Sequence, residues 1–488
     1  MTDEETIPKV PATSHTESPP SRAQVARNRL VIGVLLLASF VVILNETVMS
    51  VAMPTLMIEL DITAATAQWL TTGFMLTMAI TIPITGYLLE RFRTRSVFLL
   101  AMSLFSAGTL LAAIAPGFWV LLGARVLQAG GTATMLPLLM TTAMFLVSPA
   151  SRGRTMGSIA VVISVAPAIG PTISGIILSA LSWRFMFILV LPIAAAILIV
   201  GAVKLENVTQ PRKVPLDIPS VVLSVFGFGG LLYGISGLGA SDPSRQLGSM
   251  TAIAISIVSL TIFTLRQIRL ARVSAPLLDL RAFRSRTFTV SILMFVISGI
   301  GLFGSLIVLP IYMQSVLGLG TLLTGVLLLP GGLVMGVLSP MVGRIYDRVG
   351  PTSLLLFGSM LVCGALWTMA AVLTPDTPTV AVPLLHIVLS IGLAMTFTPL
   401  FSASLGSLPS SLYSHGSAIL NTVQQVAGGA GTALFVALLS ATAGGQVASG
   451  ASVVDGTAAG VQAAFIVGAS VSILAIPASF FVRKEAPS

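Results

Sequence analysis

Charge is what this chain lacks most. Only 8% of its 488 residues are Asp, Glu, Lys or Arg, where a soluble protein carries about 25%. One cysteine, Cys363, excludes an intrachain disulfide and any multi-cysteine metal site. The three histidines, His15, His386 and His415, are scattered, so no metal centre is expected and no cofactor is implied. None of the four lysines follows a glycine. The phosphate-cradling Gly-x-x-x-x-Gly-Lys-Ser/Thr loop is therefore missing, and with it ATP hydrolysis by that route. No catalytic constellation stands out, so an enzyme is not expected. An ion gradient remains as an energy source, and no repeated basic span resembles a voltage sensor.

Apolar sequence is there in abundance: 55% of residues are hydrophobic and the mean hydropathy is +1.01. A spanning helix needs roughly 20 apolar residues. Fourteen such spans are expected, at about 30–53, 69–89, 96–115, 118–147, 155–181, 185–203, 218–239, 248–266, 288–313, 321–342, 352–373, 382–405, 415–440 and 460–482. The fold class is an all-α polytopic membrane protein. With an even count both termini share one side, and 22 of the 25 basic residues then fall on that side. The positive-inside rule makes it cytoplasmic, and this distribution accounts for the net charge of +9 without nucleic acid. A multi-pass plasma-membrane protein with cytoplasmic termini is expected. Residues 1–28 read as a disordered polar tail and 483–488 as a second tail.

An internal repeat divides the chain. Gly86-Tyr-Leu-Leu-Glu90-Arg91 follows span two and Gly343-Arg-Ile-Tyr-Asp347-Arg348 follows span ten. The two are equivalent if six-helix bundles at 29–204 and 287–482 flank a segment, 205–286, holding two extra spans. Repeated halves with a site between them are a transporter architecture.

Glu46 is the one acid inside a span, and an intramembrane carboxylate is costly unless it is used. If its helix ends near Pro54, Glu46 lies ~12 Å below the outer end. Arg125 lies ~10 Å below the start of span four. Pairing would satisfy both, either as a proton switch or as a static ion pair that fixes packing. Met49 and Ser50 on the Glu46 face leave adaptable room or simply pack. Asn421, Gln424, Gln425, Gly428 and Thr432 share one face of span thirteen, lining an aqueous path or bonding between helices. Gly170-Pro171 and Gly175 make span five a bending point or a tight packing face. His386 is a weak candidate for proton handling beside the plainer reading of a structural histidine.

These residues resemble the fourteen-spanner drug:proton antiporters of the major facilitator superfamily, over about residues 30–480. Leu44-Asn45-Glu46-Thr47 through Pro54 is similar to the first-helix motif, although most members have the acid where this chain has Asn45. The Asn-Glu-Thr version resembles a multidrug and lincosamide-exporter subgroup. Gly86–Arg95 matches the loop motif, with Glu90 for Asp and Arg93 for Gly. Arg125-Val-Leu-Gln128-Ala-Gly-Gly131 matches the fourth-helix motif, and Gly170, Pro171 and Gly175 the fifth. Pro310 through Gln314 and Leu329-Pro330-Gly331 resemble the ninth and tenth helices.

The resemblance implies a monomeric, proton-coupled exporter of drugs or other amphipathic or cationic compounds, working by alternating access among membrane lipids. It implies proton coupling at Glu46 and Arg125. The substrate cavity would hold Asn45, Met49, Ser50, Gln128, Gln314, Asn421, Gln424 and Gln425. Gating falls to Gly86, Glu90, Arg91, Arg95, Gly170, Pro171, Gly175, Gly343, Asp347 and Arg348. An exporter of one endogenous metabolite or lipid is the alternative, and a membrane sensor without transport the remaining one.

Overall fold

The computed structural model describes residues 22–208, 211–212, 215–237, 243–273 and 276–483. Among these, every regular element is helical and fourteen stretches are long and apolar enough to cross a membrane. The first bundle holds α1 (Arg22–Glu59), α2 (Ala64–Arg91), α3 (Thr94–Ala113), α4 (Phe118–Leu146), α5 (Arg152–Ala180) and α6 (Phe185–Lys204). The second holds α10 (Arg286–Ser315), α11 (Thr321–Val349), α12 (Pro351–Val372), α13 (Ala381–Gly406), α14 (Tyr413–Ala448) and α15 (Val453–Ser472), followed by the short α16 (Ala475–Ser479). The extra pair lies between. Its first member is α7 (Ile218–Ser224), which passes through a π-helical turn, Val225–Gly229, into α8 (Gly230–Gly237). Its second member is α9 (Pro243–Leu270). A π turn disturbs the regular backbone pairing, and Ser256 of α9 donates to the Gly227 carbonyl at 2.6 Å.

Several helices run beyond the expected spans, among them α11 to Val349 and α14 to Ala448, and the two ends of α1 bear most on the site. α1 begins at Arg22, inside the stretch read as tail, because Arg and Ala favour helix even where no apolar face needs covering; residues 1–21 lie outside the described residues. α1 also runs past Pro54 to Glu59, since a membrane helix tolerates the missing N–H of a proline. Glu46 is thus ~20 Å from the helix end. Residues 238–242, between the extra spans, also lie outside the described residues, as do 484–488.

The helix ends carrying Arg91, Arg152, Arg154, Arg344 and Arg348 lie together, and we call this the basic face. The repeat builds its two turns differently there. Gly350, at φ 81°, joins α11 directly to α12, with Pro351 in the first helical position. The equivalent Arg93 takes an extended conformation, φ −67° and ψ 143°, so α2 and α3 are joined without glycine.

Lipid is as apolar as these side chains, so close packing draws the helices together more than escape from water does. The broadest contact between the two bundles joins α5 to α11. It is made of small residues. A Cβ on Gly153 or on Gly343 would collide with the other's carbonyl oxygen, one on Gly157 with Ser339, and one on Gly332 with Ala168. Further along, no atom lies within 4 Å of a Cβ built on Gly175 of α5 or Gly325 of α11.

Candidate functional site

Arg125 is 1% exposed in the middle of the first bundle. Its Nη1 donates to Gln128 Oε1 at 3.0 Å and to Asn45 Oδ1 at 3.3 Å. Gln128 sits one turn on along α4 and is held by donating its own Nε2 hydrogen to Thr109 Oγ1 of α3, at 3.0 Å. α3 comes this close because residue 108 is glycine: a Cβ there would lie 2.7 Å from Ala124 O and Gln128 N. The Arg125 guanidinium is 4.1 Å from the centre of the Phe74 ring, a cation–π contact that partly offsets the loss of water. Arg125 Nε and Asn45 Nδ2 are buried without a hydrogen-bond partner.

The expected Glu46–Arg125 ion pair does not form. Residues 45 and 46 differ by about 100° around the helix, and it is Asn45 that faces Arg125. Glu46 is half-buried. It feels the attraction of Arg125, but no hydrogen bond or ion pair ties it to a described residue. Its other neighbour, Thr47, turns to α5. A Cβ on Gly170 would collide with the Thr47 hydroxyl, which donates to Leu44 O at 3.0 Å. One turn on, Ser174 Oγ donates to Val48 O at 3.0 Å. Gly170 and Ser174 thus pack α5 directly on α1 beside the acid. Met49 is fully buried in a core to which all six helices of the first bundle contribute. The side chain of Ser50 lies outside those described.

The bundles meet at the basic face. Asp347, in the last turn of α11, accepts the backbone N–H of Gly153 at 2.8 Å and of Arg154 at 3.0 Å. These are donors that the start of α5 cannot satisfy within itself, and a carboxylate suits that end of a helix dipole. Arg152 Nη2 donates to the Tyr413 hydroxyl at 3.0 Å. Thr141 and Ser417 share a hydrogen bond of 2.6 Å, and Asn421 Nδ2 reaches Met140 Sδ at 3.5 Å. Glu90 Oε2 is 3.1 Å from His415 Nε2. Among the described residues, no side-chain hydrogen bond or ion pair joins the bundles in the half away from the basic face.

The family assignment follows from sequence as well as from this arrangement. The family model described as Major Facilitator Superfamily matches residues 35–432. The chain belongs to the Major Facilitator Superfamily. It is 38% identical over 459 residues to the "Lincomycin resistance protein LmrB" of Bacillus subtilis, covering 92% of this chain and 95% of that one. It is 30% identical to the "Multidrug resistance protein B homolog" of Mycobacterium tuberculosis H37Rv, covering 89% and 81%. Among solved structures, the human organic anion transporter MFSD10 superposes with a TM-score of 0.64 at 16% identity, covering 95% of this chain and all of that one. The proton:xylose symporter XylE gives 0.61 at 14%, covering 93% and 97%. This major facilitator is a membrane transporter, not an enzyme.

The remaining predicted residues scatter. Gln128 orients Arg125 inside the first bundle. Gln314 is exposed near the end of α10, and Gln424 and Gln425 are half-buried on α14. Asn421 donates to Ser417 O in its own helix at 2.8 Å as well as to Met140. Gly428, on the same stripe, packs on the Phe303 ring of α10. Arg91 is half-buried, while Arg95 and Arg348 are exposed; Arg95 donates its backbone N–H to Asn207 at 3.3 Å. Pro171 sits inside an unbroken α5. His386 packs on Gly331, where a Cβ would collide with its ring. Sequence reasoning missed Phe74, Thr109, Gly153, Tyr413 and His415. Gly153 alone had a signal, as a small residue at a helix start that needs outside acceptors.

Proposed function

We propose that this transporter exports amphipathic or cationic small molecules in exchange for protons, by alternating access, with Glu46 as the proton carrier. The observation that carries the reading is the division of labour on α1. Asn45 and Gln128 hold the guanidinium of Arg125, which leaves Glu46 close to a fixed positive charge yet unlocked. A proton or a cationic substrate can then neutralise the carboxylate in turn, and the fixed charge disfavours simultaneous occupancy. The relatives' names, lincomycin resistance and multidrug resistance, support drugs as substrates.

By the positive-inside rule the basic face is cytoplasmic, with both termini on that side; on the family resemblance the carrier works as a monomer in the plasma membrane. The contacts between bundles gathered on that face support an outward-facing reading of this arrangement. Protons enter from outside, reset Glu46, and the cytoplasmic side opens for the next substrate. Glu90 and Asp347 close that side; Gly170 lets α5 move on α1 without intervening side chains. Nucleic acid plays no part.

The test is transport into inside-out vesicles carrying this chain. Uptake of ethidium or lincomycin should follow an acid-inside pH gradient and stop when nigericin collapses it. Uptake that survives nigericin would refute proton exchange.

A further inference from the structure

The basic face holds a titratable contact that the exchange chemistry above does not use. His415 lies in the first turn of α14 with a side chain 2% exposed, its Nε2 3.1 Å from Glu90 Oε2. Glu90 ends α2, so this contact joins the two bundles. The imidazole packs closely on α2 because residue 86 is glycine: a Cβ there would be 3.1 Å from His415 Nδ1 and 3.6 Å from its Cα. Nδ1 is buried with no hydrogen-bond partner.

On α2 itself Arg91 adjoins Glu90, and from α5 Arg152 bonds Tyr413, two residues before His415. From the segment after α6, Arg212 Nη1 approaches Glu90 Oε1 at 3.8 Å. Ahead of α10, Asp279 attracts His415 and Arg281 attracts Glu90. Those two are bound to each other at 2.6 Å and largely cancel. α13 and α14 carry no acidic or basic residue near this level apart from His415, α4 has only the distant Arg125, and Arg286 opens α10. Glu90 is therefore the direct charged partner of His415.

We propose that His415 and Glu90 form a pH-sensitive latch on the basic face: a protonated His415 holds α14 to α2, and loss of that proton favours opening. The proposal rests on the alternating-access reading. Opening the face separates α2 from α14 and puts both groups in water, so the attraction exists in one state only. A proton shifts an equilibrium by its differential affinity for the two states. A charge-assisted hydrogen bond is roughly twice as strong as a neutral one, and histidine is the side chain suited to gaining and losing charge in the physiological range. Acid on the basic side thus favours the closed, outward-facing carrier. This control is separate from the proton at Glu46, which lies on α1 within the first bundle.

The test is a pulsed electron–electron distance measurement on the full chain in lipid nanodiscs. Cys363→Ser removes the native thiol, and spin labels go on Arg93→Cys and Ser411→Cys, both exposed and on opposite bundles. Two distance populations are expected. The rise in the ratio of short to long from pH 8 to 5.5 should be at least about 5-fold larger in the parent than in His415→Gln or Glu90→Gln, the low end of an ordinary coupling between a ligand and a conformational state. The proton at Glu46 biases all three proteins alike, so the latch is the difference between them; His415→Gln keeps a neutral donor, and Glu90→Gln carries the comparison if His415→Gln does not fold. The parent's slope retained in both variants overturns the latch alone. One population at every pH, with and without ethidium, overturns the latch together with alternating access.

Discussion

Alanine at Gly153 tests the closure of the basic face. The added methyl would collide with the Gly343 carbonyl oxygen and lie about 2.5 Å from the Tyr346 ring and 2.6 Å from Asp347 Oδ1. The carbonyl belongs to the backbone of α11 and cannot swing away, so α5 and α11 must part. Parting also loosens the two backbone bonds to Asp347, which water replaces once the face is open. Overpacking then sets the scale, at about 1–3 kcal/mol, or roughly 5–150-fold in the ratio of closed to open states. Ser339 is fully buried against Gly157 across the same contact. With Cys363→Ser as background, a thiol introduced at position 339 should react with maleimide at least about 5-fold faster once Gly153→Ala is added. Gly175→Ala, where nothing lies within 4 Å of the new methyl, should leave the rate unchanged. An unchanged rate with Gly153→Ala, in protein that is monodisperse and fully expressed, would refute a state-dependent contact.

Two further outcomes are expected. Arg125→Lys should lower drug-driven proton exchange by roughly 10-fold or more, because an ammonium cannot bond Asn45 and Gln128 while stacking on Phe74; exchange at the parental rate with normal folding contradicts the role given to that geometry. Burial pushes the Asp279 carboxyl up, but hydrogen bonds from Arg281 outweigh it and hold the group below the usual carboxylate range. Such a group contributes stability above its unfolded pKa of about 3.9 and loses it as pH falls through the lower folded value. Asp279→Asn should therefore melt earlier than the parent at pH 7, with the gap closing below about pH 4; a gap that does not change with pH contradicts the assignment.

The number of spans and the division into bundles are legible in the sequence because lipid imposes length and apolarity on each helix, and the basic loops then fix the parity. What a polar side chain meets is far less legible. Glu46 and Arg125 lie at similar depth, and depth is all that residue counting reports. The partner of Arg125 is decided by 100° of rotation about α1, which the packing of Gly170 on Thr47 sets. The Arg125-x-x-Gln128 spacing did hold the answer for one neighbour, since residues three apart on a helix adjoin. Asp347 reads from sequence as part of a charged loop; its role as a cap on α5 appears only when the ends of two distant helices are brought together. His415 carries no local signal at all, because Glu90, its partner, is 325 residues away.

The central claim is that Glu46 exchanges a proton for substrate. The most direct measurement is proton release from purified, detergent-solubilised protein when ethidium is added in weakly buffered solution, followed with a pH indicator for the parent and for Glu46→Gln. The account predicts a stoichiometric release from the parent and none from Glu46→Gln, with Asn45→Ala still releasing protons. Release from Glu46→Gln equal to that of the parent would contradict it.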